Sequence, residues 1–325
     1  MKTKLTIVFS LIAALLLGSC QKDVDLFIPD DGQSFAPDTT WYSNVTASMQ
    51  VNVLRTQLLI APYTDTINAS FNDTISVPGG LVCTIPANAC VTSAGTAVTG
   101  KVDVELSYIK SGGDMIRSNR PTSSSGRLLV SGGQLYVGLT KNGELLRLAP
   151  GAKMGIRFPD TSPNPLMSFF AGEGGNTVAS SFTWMPNPDP VNNTIATGPG
   201  GYEVLTNRVG WTSCAYFYDT ANITRSVVST SLPGNYTNAN TLVYISFKDQ
   251  HSVMPLLADV STKKFNSGKL PDGKMATVVA ISKQADSYFI GYNNIVTGDA
   301  SGVQSISLSP LKHTLPEILQ ILASL

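Results

Sequence analysis

Histidine is nearly missing from this chain: His251 and His313 are the only two among 325 residues. Neither is read as part of a His, Cys or carboxylate series at ligand spacing, so zinc chemistry is not expected. Cysteine is scarce too, at four, and no Cys-x-x-Cys pair offers a metal or dithiol site. Charge is low and balanced, with Lys plus Arg and Asp plus Glu at 22 each. No net field therefore draws the chain to nucleic acid or to an anionic surface. The Gly-x-Ser-x-Gly elbow, the Walker loop and the dinucleotide fingerprint are all missing. Asp30-Asp31-Gly32 and Pro271-Asp272-Gly273-Lys274 read as turns, since neither has the dense carboxylate series of a calcium loop. These absences leave no catalytic motif and no cofactor to expect.

One apolar run, Leu5 to Leu17, stands behind Lys2 and Lys4. It is too short to span a bilayer, which takes about 20 residues. Closed by Gly18 and Ser19, the segment 1–19 has the build of an export signal. Leu17-Gly18-Ser19-Cys20 resembles the bacterial lipoprotein signal. The resemblance implies cleavage before Cys20, acylation of that cysteine and attachment to a membrane through its lipid. Each buried CH₂ contributes about 0.8 kcal/mol, so two or more acyl chains hold stably. Gln21, Lys22, Asp23 and Asp25 resemble the Lys/acidic tag of surface-exported Bacteroidetes lipoproteins. That likeness implies the outer face of the outer membrane, with a periplasm-facing anchor as the alternative. Residues 20–40 read as the acylated cysteine and a turn-rich, flexible stalk.

The remainder, about 285 residues, suits two domains. Hydrophobic residues make up 42%, beside 28 Gly and 19 Pro, a composition that fits a loop-rich all-β fold. "KVDVELSYI" (residues 101–109) alternates apolar and polar side chains with period two, the pattern of a half-buried strand. The segment 133–148 reads as two strands about Asn142-Gly143, a pair suited to the positive φ angles of a tight hairpin turn. "MGIRFP", "LVYISFKD", "MATVVAIS" and "SYFIGY" add short strands, after a first β-rich run beginning at Trp41. Such spacing favours β-sandwiches, divided into residues 41–160, a linker with short strands over 161–200, and a second β domain over 201–325. The C-terminus departs from this. Leu315, Ile318, Leu319, Leu322 and Leu325 fall at helical spacing behind a Thr314/Glu317 capping box, predicting a short amphipathic helix docked on its own sheet, with a partner-binding helix as the alternative.

The order of elements resembles a known family. Ile85-Pro86-Ala87-Asn88-Ala89-Cys90 after a strand, then Gly143, Leu146 or Leu148, Pro150 and Phe158-Pro159, is similar to the ZU-five-type β-sandwich of ankyrins, netrin receptors and tight-junction scaffolds. The resemblance covers roughly residues 76–159, rests on structural motifs, and implies a second β domain packed in tandem with the sandwich. "VGWTSCAYF" resembles a Gly-Trp-x-x-Cys-Asp-x-Phe pattern of Bacteroidetes envelope proteins. Ala215 stands where that pattern has Asp, while Trp211 and Phe217 are expected in a core. Some members of the sandwich family cleave themselves at His-Phe-Ser/Thr. Here His251 runs directly into Ser252 and His313 into Thr314, so self-cleavage is not expected.

Several side chains remain as candidates. Cys83 and Cys90 either pair in an oxidising compartment or sit as two buried thiols, and their apolar surroundings favour thiols. Asp103 and Glu105 share one strand face, either as a carboxylate pair or as solvated polar positions. Thr39, Thr66, Thr74 and Thr220 follow aspartate in a pattern resembling the Bacteroidetes O-glycan acceptor. Trp41, Tyr42, Trp184 and Tyr202 line a contact or fill a core. The reading is a non-catalytic surface lipoprotein that binds protein or glycan, against an envelope glycan hydrolase or a plain spacer.

Overall fold

A computed structural model describes residues 38–325, apart from 176, 178, 179 and 219–224. The segment 1–19, Cys20, the tag at Gln21, Lys22, Asp23 and Asp25, and Thr220 lie outside the described residues. From Thr39 onward the chain forms one compact unit. Its framework is all-β, with two pairs of facing sheets and, among the described residues, three short α-helices.

Period-two patterning builds the first sheet. In Lys101–Ile109, Val102, Val104 and Leu106 are buried while Lys101, Asp103 and Glu105 are exposed. This strand pairs antiparallel with Tyr63–Asn68 on one side and Arg127–Lys141 on the other. The sheet continues through Gly210–Phe217, Ser168–Gly174 and Phe182–Pro186. Facing it, a second sheet runs Thr194–Gly198, Gly201–Thr206, Met154–Pro159, Val82–Ile85, Asp73–Ser76. Their inner faces share one core, which includes Val104, Leu135, Val137, Leu139, Ile156, Phe158 and Tyr202. Asn142 and Gly143 take φ of 51° and 80°, the two-residue turn their sequence demands.

The boundary between the sandwiches departs from the sequence expectation. Residues 161–200 are not a linker, because Ser168–Gly174, Phe182–Pro186 and Thr194–Gly198 complete the first two sheets. Gly201–Thr206 and Gly210–Phe217, expected in the second domain, pair there as well. A short alternating strand carries no local mark of which sheet it joins. Nor does a strand begin at Trp41: among the described residues the first regular element is helix α1, Gln50–Leu58, which buries Val51, Leu54 and Leu58.

The second sandwich pairs the sheet Leu257–Asp259, Lys264–Pro271, Arg225–Ser231, Val303–Ser307 with the sheet Ser252–Pro255, Thr241–Phe247, Met275–Gln284, Ser287–Val296, Leu311–His313. The two central strands of the latter are covered on both faces. Val243, Ile245, Phe247, Val278 and Ala280 face the opposing sheet. Leu242, Tyr244, Val279 and Ile281 face a second core closed by the helices. Burial on both sides is why "LVYISF" and "ATVVAI" read as nearly continuous apolar runs.

Helix α2, Gly112–Arg117, is capped by Ser111, whose Oγ accepts from the Asp114 amide at 3.1 Å. Helix α3, Leu315–Ala323, has the expected capping box and buries Ile318 and Leu322 against its own sheet. Gly113 makes the closest approach between α2 and α3, since a Cβ there would lie 1.9 Å from the Leu322 carbonyl oxygen. Backbone cannot yield as a flexible side chain does. Gly113→Ala should therefore lower stability by about 1–3 kcal/mol in urea unfolding, whereas Gly126→Ala meets no neighbour within 4 Å and loses only what its positive φ costs. An unchanged midpoint for Gly113→Ala would contradict this packing.

Candidate functional site

Asp103 and Glu105 lie two residues apart on the outer face of their strand, both exposed, with Asp103 3.9 Å from Lys101 Nζ. The solvated reading fits their geometry. Thr66 and Thr74 are exposed on strands that border free edges of the first and second sheets. In each case the preceding aspartate accepts from the threonine amide, at 2.7 Å for Asp65 and 2.8 Å for Asp73. Thr39 is exposed as well.

The histidines stay apart. His251 closes the turn after Thr241–Phe247 in a left-handed conformation, φ 44°, and burial, then Lys110, lowers its pKa. His313 does have a carboxylate at helical spacing, contrary to the sequence reading: its Nδ1 lies 3.6 Å from Glu317, the residue that closes the α3 cap. One such pair is a helix-end contact. Among the described residues no group of three or more His, Cys, Asp or Glu is gathered to hold a metal.

Cys83, Cys90 and Cys214 are all free and buried. Trp184 and Tyr202 are core residues, not contact residues. The Trp184 indole donates to the Pro121 carbonyl at 3.0 Å, and the Tyr202 hydroxyl accepts from the Asn164 amide at 2.7 Å. Trp41 packs its ring 5.0 Å from that of Phe265, and Tyr42 is half-buried. Trp211 and Phe217 are half-buried against the small core that contains Trp184, and Ala215 is a buried member of it. An apolar methyl thus fills this buried place.

A cleft of about 630 Å³ opens where three parts of the chain meet. The strand Thr241–Phe247 supplies Leu242, Val243 and Tyr244, and the neighbouring sheet supplies Leu257 and Phe265. The N-terminal strap and α1 supply Ser43, Val45 and Arg55, while the first sandwich supplies Asn119, Pro121 and Phe182. The apolar floor comes from strands packed on both faces, so it is preformed. Tight contacts set the polar rim. The Tyr244 hydroxyl donates to Asn119 Oδ1 at 3.1 Å, and Arg55 donates to Asn52 Oδ1 at 2.7 Å. Asn238 grips the strap at Tyr42, donating to its carbonyl at 2.6 Å and accepting from its amide at 3.0 Å. Phe182 meets Trp184 edge-on, 4.9 Å between centroids. The Arg120 guanidinium lies 4.4 Å from the Phe182 centroid and 4.9 Å from that of Trp211. Burial lowers the pKa of Arg120.

No sequence signal marks Phe182, Asn119, Asn238 or Arg55 as neighbours, because each comes from a different segment. No protein-family model and no curated protein matches the chain. The functional reading therefore rests on these surfaces.

Burial raises all three thiol pKa values, that of Cys83 from 9.0 to about 12. A thiol with a raised folded pKa ionises first in the unfolded chain. Its stabilising contribution is whole below pH 9.0 and is lost as pH rises toward about 12. Between about pH 8 and pH 10, wild type should lose more urea stability than Cys83→Ala does, at up to roughly 1.4 kcal/mol per pH unit for one group. Equal pH dependence in both proteins would contradict the assignment.

Proposed function

We propose that the chain is a lipid-anchored, non-catalytic binding module at a bacterial cell surface, and that the cleft between its sandwiches receives part of a protein or glycan partner. The cleft is the observation that carries the reading. At about 630 Å³ it falls within the range of ligand pockets, about 300–1,000 Å³, and it joins an apolar floor to a few convergent polar groups at an inter-domain position where such sites concentrate. A spacer has no use for such a feature. The anchor rests on Leu17-Gly18-Ser19-Cys20, and the outward address on Gln21, Lys22, Asp23 and Asp25. Thr39, Thr66 and Thr74, all exposed, are proposed as the glycosylated threonines, with Thr220 a fourth by sequence pattern. The likeness to ZU-five-type sandwiches and to Bacteroidetes lipoproteins supports an assembly role over catalysis.

Expression of the full chain in a Bacteroidetes host tests both halves. Wild type should take palmitate label and be shaved from intact cells by protease, and Cys20→Ala should take none. On the same cells Leu257→Asp, an acid set at the cleft mouth on a side chain 70% exposed, should leave anchoring intact. It should reduce saturable binding of the apolar anion anilinonaphthalene sulfonate to purified protein about fivefold or more, that is about 1 kcal/mol. Unlabelled wild type would overturn the anchor, and unchanged dye binding would overturn the cleft.

A further inference from the structure

The outer face of the first sheet holds a groove of about 590 Å³ that is separate from the cleft. We propose that it binds a neutral saccharide, with Tyr136 as its floor. The register places two rows of outward side chains across three strands: Thr66, Asp103, Thr140 in one and Thr64, Glu105, Gly138 in the next. Gly138 leaves a gap in the second row. A Cβ there would lie 3.0 Å from the ring of Tyr136 and 3.4 Å from Glu105 Cβ. The tyrosine ring, two residues along on the same face, lies across that gap and lines the groove.

Position makes the ring a platform. Tyr136 is half-buried and is braced by Trp211, 5.4 Å away between centroids and tilted by 46°. It stands on the central strands of the sheet, where a flat surface is held rigidly. Burial raises its phenol pKa, with the nearby Glu105 carboxylate adding to the effect and the Arg120 guanidinium opposing it. Around the ring stand two carboxylates, Asp103 and Glu105, and the hydroxyls of Thr64, Thr66 and Thr140.

This set of groups suits a sugar. One face of a hexose is apolar C–H surface, which covers an aromatic ring. Its hydroxyls are donors that carboxylate oxygens accept, and threonine hydroxyls work in both directions. The neighbouring cations are Lys101, beside Asp103, and Arg120, whose charge reaches Tyr136. Anionic saccharides meet repulsion from the two acids on this face, Asp103 and Glu105, which favours the neutral class. Asp103 and Glu105 act here as hydrogen-bond acceptors, and no bond is broken.

The test is calorimetric titration of the full-length protein with cellohexaose, mannohexaose, xylohexaose and, as the anionic counterpart, hexagalacturonate. At least one neutral hexasaccharide should bind saturably, with hexagalacturonate about tenfold or more weaker. Tyr136→Ala should weaken binding about tenfold or more, and Glu105→Gln with Asp103→Asn should do the same. Tyr136→Phe, which keeps the ring, should stay within about threefold, as should Leu166→Ala at an exposed site outside the groove. No binding by any neutral hexasaccharide would overturn the proposal. Wild-type affinity in the Asp103/Glu105 double variant, or equal binding of hexagalacturonate, would overturn it too.

Discussion

The strand Arg127–Lys141 carries the architecture, because its side chains enter three separate cores. Leu135, Val137 and Leu139 point into the first sandwich, Leu129 joins the aromatic cluster around Trp184, and Leu128 reaches the core of the second sandwich. A strand alternates strictly, so one residue must be added for both ends to face correctly. The register shifts between Cys214 and Ala215, which pair with Gly133 and Ser131, and Gly132 is the extra residue. A Cβ on Gly132 would lie 2.7 Å from the Tyr202 ring, and one on Gly133 2.8 Å from that of Phe158. The two glycines let the bulge sit against a packed aromatic core. Val130 thereby returns to the face that Leu135 occupies.

From this strand the two sandwiches are tied into one body. The Leu129 amide donates to the Thr122 carbonyl, and Thr122 in turn exchanges hydrogen bonds with Val253 of the second sandwich. Ser252 Oγ donates to the Leu129 carbonyl at 2.7 Å. The cleft draws its walls from both sandwiches, so it exists only while these contacts hold. The cleft is a product of docking, and neither sandwich alone contains it.

What was legible in the sequence is short-range. Alternation in Lys101–Ile109, the Asn142-Gly143 turn and the Thr314/Glu317 cap each depend on residues within a few positions of one another. Pairing is not short-range. Ser168–Gly174 joins Gly210–Phe217 across about forty residues, and nothing local distinguishes it from a linker strand. Helix α1 was hidden because Val51 and Val53 alternate as in a strand, while Leu54 and Leu58 owe their burial to strands about 190 residues or more further along the chain. Among the aromatics, Trp41 and Trp184 look alike in composition, and only the fold separates a half-buried ring from a buried one. The cleft was illegible for the same reason, being assembled from segments near residues 45, 119, 182, 242 and 257.

The claim that one continuous scaffold holds the cleft is tested most directly by equilibrium urea unfolding of the full chain, read by tryptophan fluorescence and by far-ultraviolet circular dichroism. Trp41 reports on the second sandwich and Trp184 on the first, while Trp211 packs against both the cluster around Trp184 and the helix-closed core. The structure predicts coincident transitions with one midpoint, the mark of a single cooperative unit. Two separated steps, with the tryptophan signals dividing between them, would show that the sandwiches stand independently and would contradict the account.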